Sequence, residues 1–283
     1  MANTVRIAVL LLALHTLELG CSSTDESNGG GGGTSNTTIG DLGGQSSTQV
    51  SSGGTTATTT GAPTSDATVY GEVHSGQFHL GPVDFAESQW PNACNPAGGY
   101  VASMRDAVGL HGEYLAGVSV TYAQNGGVCD DCIFIKTGQS RQIVARVVTY
   151  GDTNQPGDID VSPSVYAALN TGEYPRAMTW QFAKCPADTG MLLYEFQTGA
   201  NEWWTSLWVR NALVPVSKVE VQSTNHKTFV TMARGTDGTL TDASGFGAGS
   251  FTLRITAMDG QVIADTQPSF SPGQIIVSAR QFH

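Results

Sequence analysis

Positive charge is scarce in this sequence. Only 13 lysines and arginines stand against 24 acidic residues, and charged residues of both signs make up just 13% of the chain. The formal net charge of −11 leaves no basic face for phosphate, which excludes nucleic acid as a partner. A neutral polymer tolerates such a surface, whereas a polyanion is repelled. Glycine, by contrast, is plentiful at 35 copies. With so little charge, that composition suits strands joined by tight turns better than salt-bridged helices. The 283 residues are enough for two domains of ordinary size.

Long apolar runs are also missing near the start. Ile7 to Leu14 follows Arg6 and is too short to span a bilayer, so residues 1–20 read as an export signal. Leu17-Glu18-Leu19-Gly20-Cys21 resembles the lipobox of bacterial lipoproteins, with Glu18 departing from the pattern. The resemblance implies cleavage before Cys21, acylation of its thiol and a cell-surface or outer-membrane location. Ordinary secretion is the alternative. Residues 21–66 form a Ser/Thr/Gly-rich tether, and from residue 22 onward the stretch contains no lysine, arginine or aromatic residue. Such a segment cannot bury enough apolar surface to offset its ordering entropy.

From Thr68 onward, short runs of Val, Ile, Tyr and Phe alternate with Gly, Pro, Asn and Asp. Gln142 to Tyr150 predicts a buried strand, and Ile133-Phe134-Ile135 another. One helix is predicted after Asp160, with Ser162 as cap, Pro163 at the first position and Gly172 beyond the end. Cys185 to Gly190 reads as a linker, giving domains at 67–186 and 187–283. In the second domain Phe251 to Ile255 alternates, and Asp259-Gly260 predicts a hairpin turn. Closely spaced strands without helix signals predict a β-sandwich there.

Apart from Cys21, four cysteines remain: Cys94, Cys129, Cys132 and Cys185. In an exported chain they predict disulfides, with three connectivities open. The Cys129-x-x-Cys132 pair lacks the following helix of a redox motif and the further ligands of a zinc site. No metal or cofactor is expected. A copper oxygenase reading fails because it needs a histidine at the mature end, where Cys21 is predicted.

Two segments carry a family resemblance. Gly157-Asp158-Ile159-Asp160-Val161-Ser162-Pro163 looks like the Asp-Leu-Ser-Pro signature closing the first domain of expansins. Asn201 to Asn211, with Trp203, Trp204 and Trp208, resembles the tryptophan-bearing strand of their carbohydrate-binding module, and Ser250 to Thr256 continues the match. The resemblance implies a mainly β fold, a six-stranded double-psi β-barrel followed by an Ig-like β-sandwich. It also implies a monomer that binds cellulose and related neutral glucans, xyloglucan among them, and loosens plant-type walls without hydrolysis. It makes Asp160 the essential groove acid, able to hydrogen-bond sugar hydroxyls. Trp203 and Trp204 become a stacking platform, with Trp208 either extending it or filling the sandwich.

This chain departs from the family pattern where His74 stands near an expected threonine and where Thr149-Tyr150, with Asp152 nearby, replaces Thr-Asp. His74, Tyr150 and Asp152 are therefore further candidates for sugar contacts. Hydrolysis would need a second carboxylate across the glycosidic bond. Asp84, Asp130, Asp131, Asp152 and Asp158 read instead as solvated loop acids. An endoglucanase and a cellulose-binding adhesin are the competing functions.

Overall fold

The computed structural model describes residues 67–81, 93–94, 114–186 and 190–283. The export segment, Cys21, the tether and Asp84 lie outside the described residues. Six strands close a barrel: β1 (Val69–Leu80), β2 (Leu115–Ser119), β3 (Cys132–Thr137), β4 (Gln142–Gly151), β5 (Ile159–Val161) and β6 (Ala177–Ala183). Their order is β1-β5-β2-β4-β3-β6, with β6 returning to β1. The β1/β5 and β2/β4 pairs are parallel and the rest antiparallel. This is the six-stranded barrel that the family resemblance implies.

Strand alternation explains its core. Phe78, Ile133, Ile135, Ile143, Ala145, Val147, Ile159, Val161 and Trp180 all turn inward and are buried. Each large apolar side chain contributes about 1.5–3 kcal/mol by leaving water. The predicted helix forms as α1 (Pro163–Leu169), with Ser162 at its cap position and Pro163 leading. The Ser162 hydroxyl does not cap the helix, however. It accepts the Leu115 N–H at 3.2 Å and so ties the helix start to β2.

Nine strands follow: β7 (Leu193–Phe196), β8 (Thr205–Arg210), β9 (Val216–Gln222), β10 (Val230–Thr231), β11 (Ala233–Arg234), β12 (Leu240–Asp242), β13 (Phe251–Ala257), β14 (Val262–Gln267) and β15 (Ile275–Val277). They form a four-stranded sheet, β10-β9-β13-β14, and a five-stranded sheet, β11-β12-β8-β7-β15. Val219, Val221, Leu253 and Ile255 from the first sheet share one core with Tyr194, Phe196, Leu207 and Leu240 from the second. Two sheets around one core make the predicted sandwich. The predicted Asp259-Gly260 turn joins β13 to β14.

The disulfides are Cys94–Cys129 and Cys132–Cys185, one of the three connectivities open to the sequence. They send the two thiols of the Cys-x-x-Cys pair to different partners. Barrel and sandwich belong to one compact unit and meet along a polar seam. Arg210 on β8 is fully buried there. It donates to Asp130 Oδ2 at 2.7 Å, to Glu195 Oε2 at 3.0 Å and to the Cys94 carbonyl at 3.3 Å. Arg146 on β4 reaches the Asp130 carbonyl at 2.8 Å and Asn211 Oδ1 at 3.4 Å.

The acids expected in solvated loops are corrected here. Asp130, Asp131 and Asp158 are only 6%, 5% and 2% exposed. Two of them serve the seam, and Asp158 is caged by backbone amides.

Candidate functional site: a lane across the barrel

Asp160 occupies the middle of β5, between two buried residues, Ile159 and Val161. Alternation therefore turns its side chain away from the barrel core. Register sets its neighbours. His79 on β1 is its partner on one side and Gly117 on β2 its partner on the other, while Gly117 in turn faces Thr149 on β4. His79, Asp160, Gly117 and Thr149 thus form one transverse row over four adjacent strands, about 14 Å wide at ordinary strand spacing.

Thr149 joins this row through a strand irregularity. Ala116 pairs with Val147 but Gly117 pairs with Thr149, so Val148 is left over. The extra residue reverses the parity of β4. Before it, Ile143, Ala145 and Val147 are core; after it, Thr149 faces outward with Asp160.

Two glycines stand beside Asp160 and Thr149. A side chain at Gly81 would place its Cβ 2.6 Å from Asp160 Cβ, and one at Gly117 would lie 2.8 Å from Thr149 Cγ2. Neither position accepts a Cβ without movement. Asp160 is itself half-buried, and burial is the main reason its carboxyl is raised above the usual carboxylate range. The neighbouring Asp158 adds to the rise, while the charge of His79 opposes it. Asp158 does not stand across the lane. It is two residues back on the same face, with Oδ1 accepting the Gln77 N–H at 2.8 Å and Oδ2 the Gln155 N–H at 3.1 Å.

The other sequence candidates are distributed differently. His74 lies five residues before His79 on β1, about 16 Å away along an extended strand. It is wedged between the rings of Tyr122 and Trp180, with centroids at 4.2 and 4.3 Å, so it is neither an exposed strand histidine nor a member of the row. Burial lowers its imidazole from the ordinary value, against the pull of Glu72. Tyr150, on the opposite face of β4 from Thr149, packs against the barrel core and donates its hydroxyl to the Thr236 carbonyl across the seam. Asp152 is exposed just past the end of β4. His79 carries no motif and escapes sequence reasoning; only the β1/β5 register reveals it.

In the sandwich, Trp203 and Trp204 sit on the turn entering β8. Their N–H groups donate to the Asn201 side chain at 2.9 and 3.1 Å, which fixes the turn. Trp203 is 69% and Trp204 37% exposed. Because they occupy a turn and not a straight strand, alternation does not force one ring inward. Trp208 requires a correction: it is not sandwich filler. Leu207 takes the core position, while Trp208 lies on the outer face, donates to the Asp237 carbonyl at 2.9 Å and stacks with Arg210 at 4.7 Å. It lines a small seam cavity with Cys129, Asp130 and Asp131.

No family model matches the chain. It is 26% identical to expansin-like protein 5 of Dictyostelium discoideum over 179 residues, covering 60% of this chain and 74% of that protein. It is 29% identical to expansin-YoaJ of Bacillus subtilis over 113 residues, 40% of this chain and about half (47%) of the length of that relative. In structure it resembles the apo expansin of Clavibacter michiganensis, with a TM-score of 0.61 at 17% identity, over 75% of this chain and 98% of that one. A point mutant of that expansin in complex with cellohexaose gives a TM-score of 0.58 over the same shares.

Proposed function

The chain is an expansin-like protein, and from that premise we propose that it binds cellulose and related neutral glucans and loosens their packing without cutting them. The observation that carries this reading is Asp160, a half-buried carboxyl beside Gly81 and Gly117 in the middle of a lane. There a carboxylate can accept hydroxyl hydrogen bonds from a sugar and compete with the bonds between neighbouring chains. Trp203 and Trp204 supply a second foothold. Flat indoles suit the apolar face of a glucan, from which stacking releases water. The complex of a structural neighbour with cellohexaose supports a glucan as ligand class.

The way Asp158 is held supports loosening without hydrolysis. Cleavage needs a second carboxylate across the bond, free to act as base or nucleophile. Among the described residues, the acid acting on Asp160 is Asp158, which is buried on the same strand with both oxygens accepting backbone amides. Export, acylation at Cys21 and a monomeric state belong to the same proposal.

The test pairs two assays on the full chain: creep of heat-killed plant wall strips, and soluble sugar released from amorphous cellulose. Creep without sugar release is expected, and Asp160→Asn should remove the creep while leaving the fold intact. Sugar release without creep would establish a glycoside hydrolase instead. If neither appears while cellulose is still bound, the protein is an adhesin.

A further inference from the structure

Two histidines lie on β1, and only one shares a face with Asp160. His79 follows the core residue Phe78 and is the register partner of Asp160. Its side chain is 33% exposed, yet Nε2 is buried and lies 3.6 Å from Asp158 Oδ2, just beyond hydrogen-bond reach. Asp158 is fixed by its two backbone amides and so offers the imidazole an immobile anionic anchor. On the other side, register sets His79 beside Asp160, and its charge opposes the rise of the Asp160 carboxyl.

We propose that His79 is a positioning residue for Asp160: anchored on Asp158, its imidazolium keeps the Asp160 carboxylate turned into the lane as an acceptor for sugar hydroxyls. This inference rests on the glucan-binding reading of Asp160 and adds to it a second, titratable member of the row.

The surroundings of His79 favour this role. From β5 it is faced by Asp158 and Asp160. On β1 its same-face neighbour is the neutral Gln77. Helix α1 packs beside β1, carries no charged side chain and contributes the Tyr166 phenol. Ahead of β6, Arg176 lies over the rings of Tyr166 and Tyr174 at 5.3 and 5.9 Å, with Glu173 near it. Among the described residues, then, an imidazolium at position 79 is the cation that meets both carboxylates. When it loses its proton, burial and Asp158 act on Asp160 unopposed.

The pairing is tested without any wall or glucan, by following the His79 ring protons by NMR in the full chain. The resonance is assigned by its loss in His79→Gln. Asp160→Asn and Asp158→Asn should each lower the His79 midpoint by about 1 pH unit, the effect of removing one close opposite charge. A midpoint unmoved by Asp160→Asn overturns the proposal.

The positioning role is tested by wall creep as a function of pH. Activity of the native chain should fall about tenfold as pH rises from about 5.5 to 8, where imidazoles lose their charge. His79→Arg should hold its activity across that span, and His79→Gln should be low and flat. Identical profiles for the three chains overturn the role even where the ring titration is coupled. If Asp160→Asn keeps full creep, the glucan-lane reading falls, while the NMR titration still decides the pairing.

Discussion

Trp203 stands out among the aromatic residues. At 69% exposure it gives up most of the stabilisation an indole gains from burial, and Trp204 beside it, at 37%, gives up a part. Exposed apolar surface of this kind marks a contact site, and the Asn201 turn that displays it holds no core position. Replacing both with alanine should therefore leave thermal stability nearly unchanged. Affinity for insoluble cellulose, measured by pull-down, should fall at least tenfold, since each covered ring is worth about 1.5–3 kcal/mol. A large loss of melting temperature with binding intact would show instead that the rings serve packing. Asp160 has the opposite profile: it is half-buried, and burial raises its carboxyl.

At the scale of elements, the lane depends on how β2 and β4 are matched. One unpaired residue, Val148, turns Thr149 outward and Tyr150 toward the core, where its hydroxyl reaches the sandwich. Gly117 keeps the row low between Thr149 and Asp160. Gly117→Ala forces a Cβ to within 2.8 Å of Thr149 Cγ2, so one strand must shift. The expected result is a loss of about 1–3 kcal/mol in chemical denaturation together with weaker glucan binding. Unchanged stability and binding would mean that Thr149 swings aside freely and that the lane is broader than the strand register implies.

At the scale of the whole molecule, the seam turns two folding units into one surface. Arg210 joins β8 to Asp130 and Glu195 while fully buried. Arg210→Ala removes the ion-pair partner of buried Asp130 and partly buried Glu195 and should cost about 3–5 kcal/mol, read from urea denaturation. Asp131, also in the seam, has its carboxyl pushed up to about 8, chiefly by burial, although Arg234 and Arg146 and a hydrogen bond from Val216 work against the rise.

Since its folded pKa lies above the unfolded value, the native state binds this proton more tightly. Its stabilising contribution is complete below about pH 4 and declines as pH rises towards about 8. Melting temperatures of Asp131→Asn across that range should accordingly fall less with rising pH than those of the native chain. A parallel pair of curves would show that the arginines keep Asp131 ionised in the fold.

Sequence by itself determined the kinds of elements and their order. Gln142 to Tyr150, Phe251 to Ile255 and the Ser162-Pro163 helix start are local patterns, and side-chain period and turn chemistry suffice to read them. The Asp160 signature and the Trp203-Trp204 pair were legible for the same reason, since each is contiguous in the chain.

Tertiary structure alone decided which strands lie side by side. Register brought His79 to Asp160, an unpaired Val148 moved Thr149 into their row, and closure of the seam buried Asp130 and Asp131 and partly covered Trp208. Disulfide partners belong with these, because Cys129 and Cys132 are three residues apart yet bond in opposite directions along the chain, to Cys94 and to Cys185. A shift of one residue exchanges the two faces of a strand, and contacts between distant strands are what fix that choice.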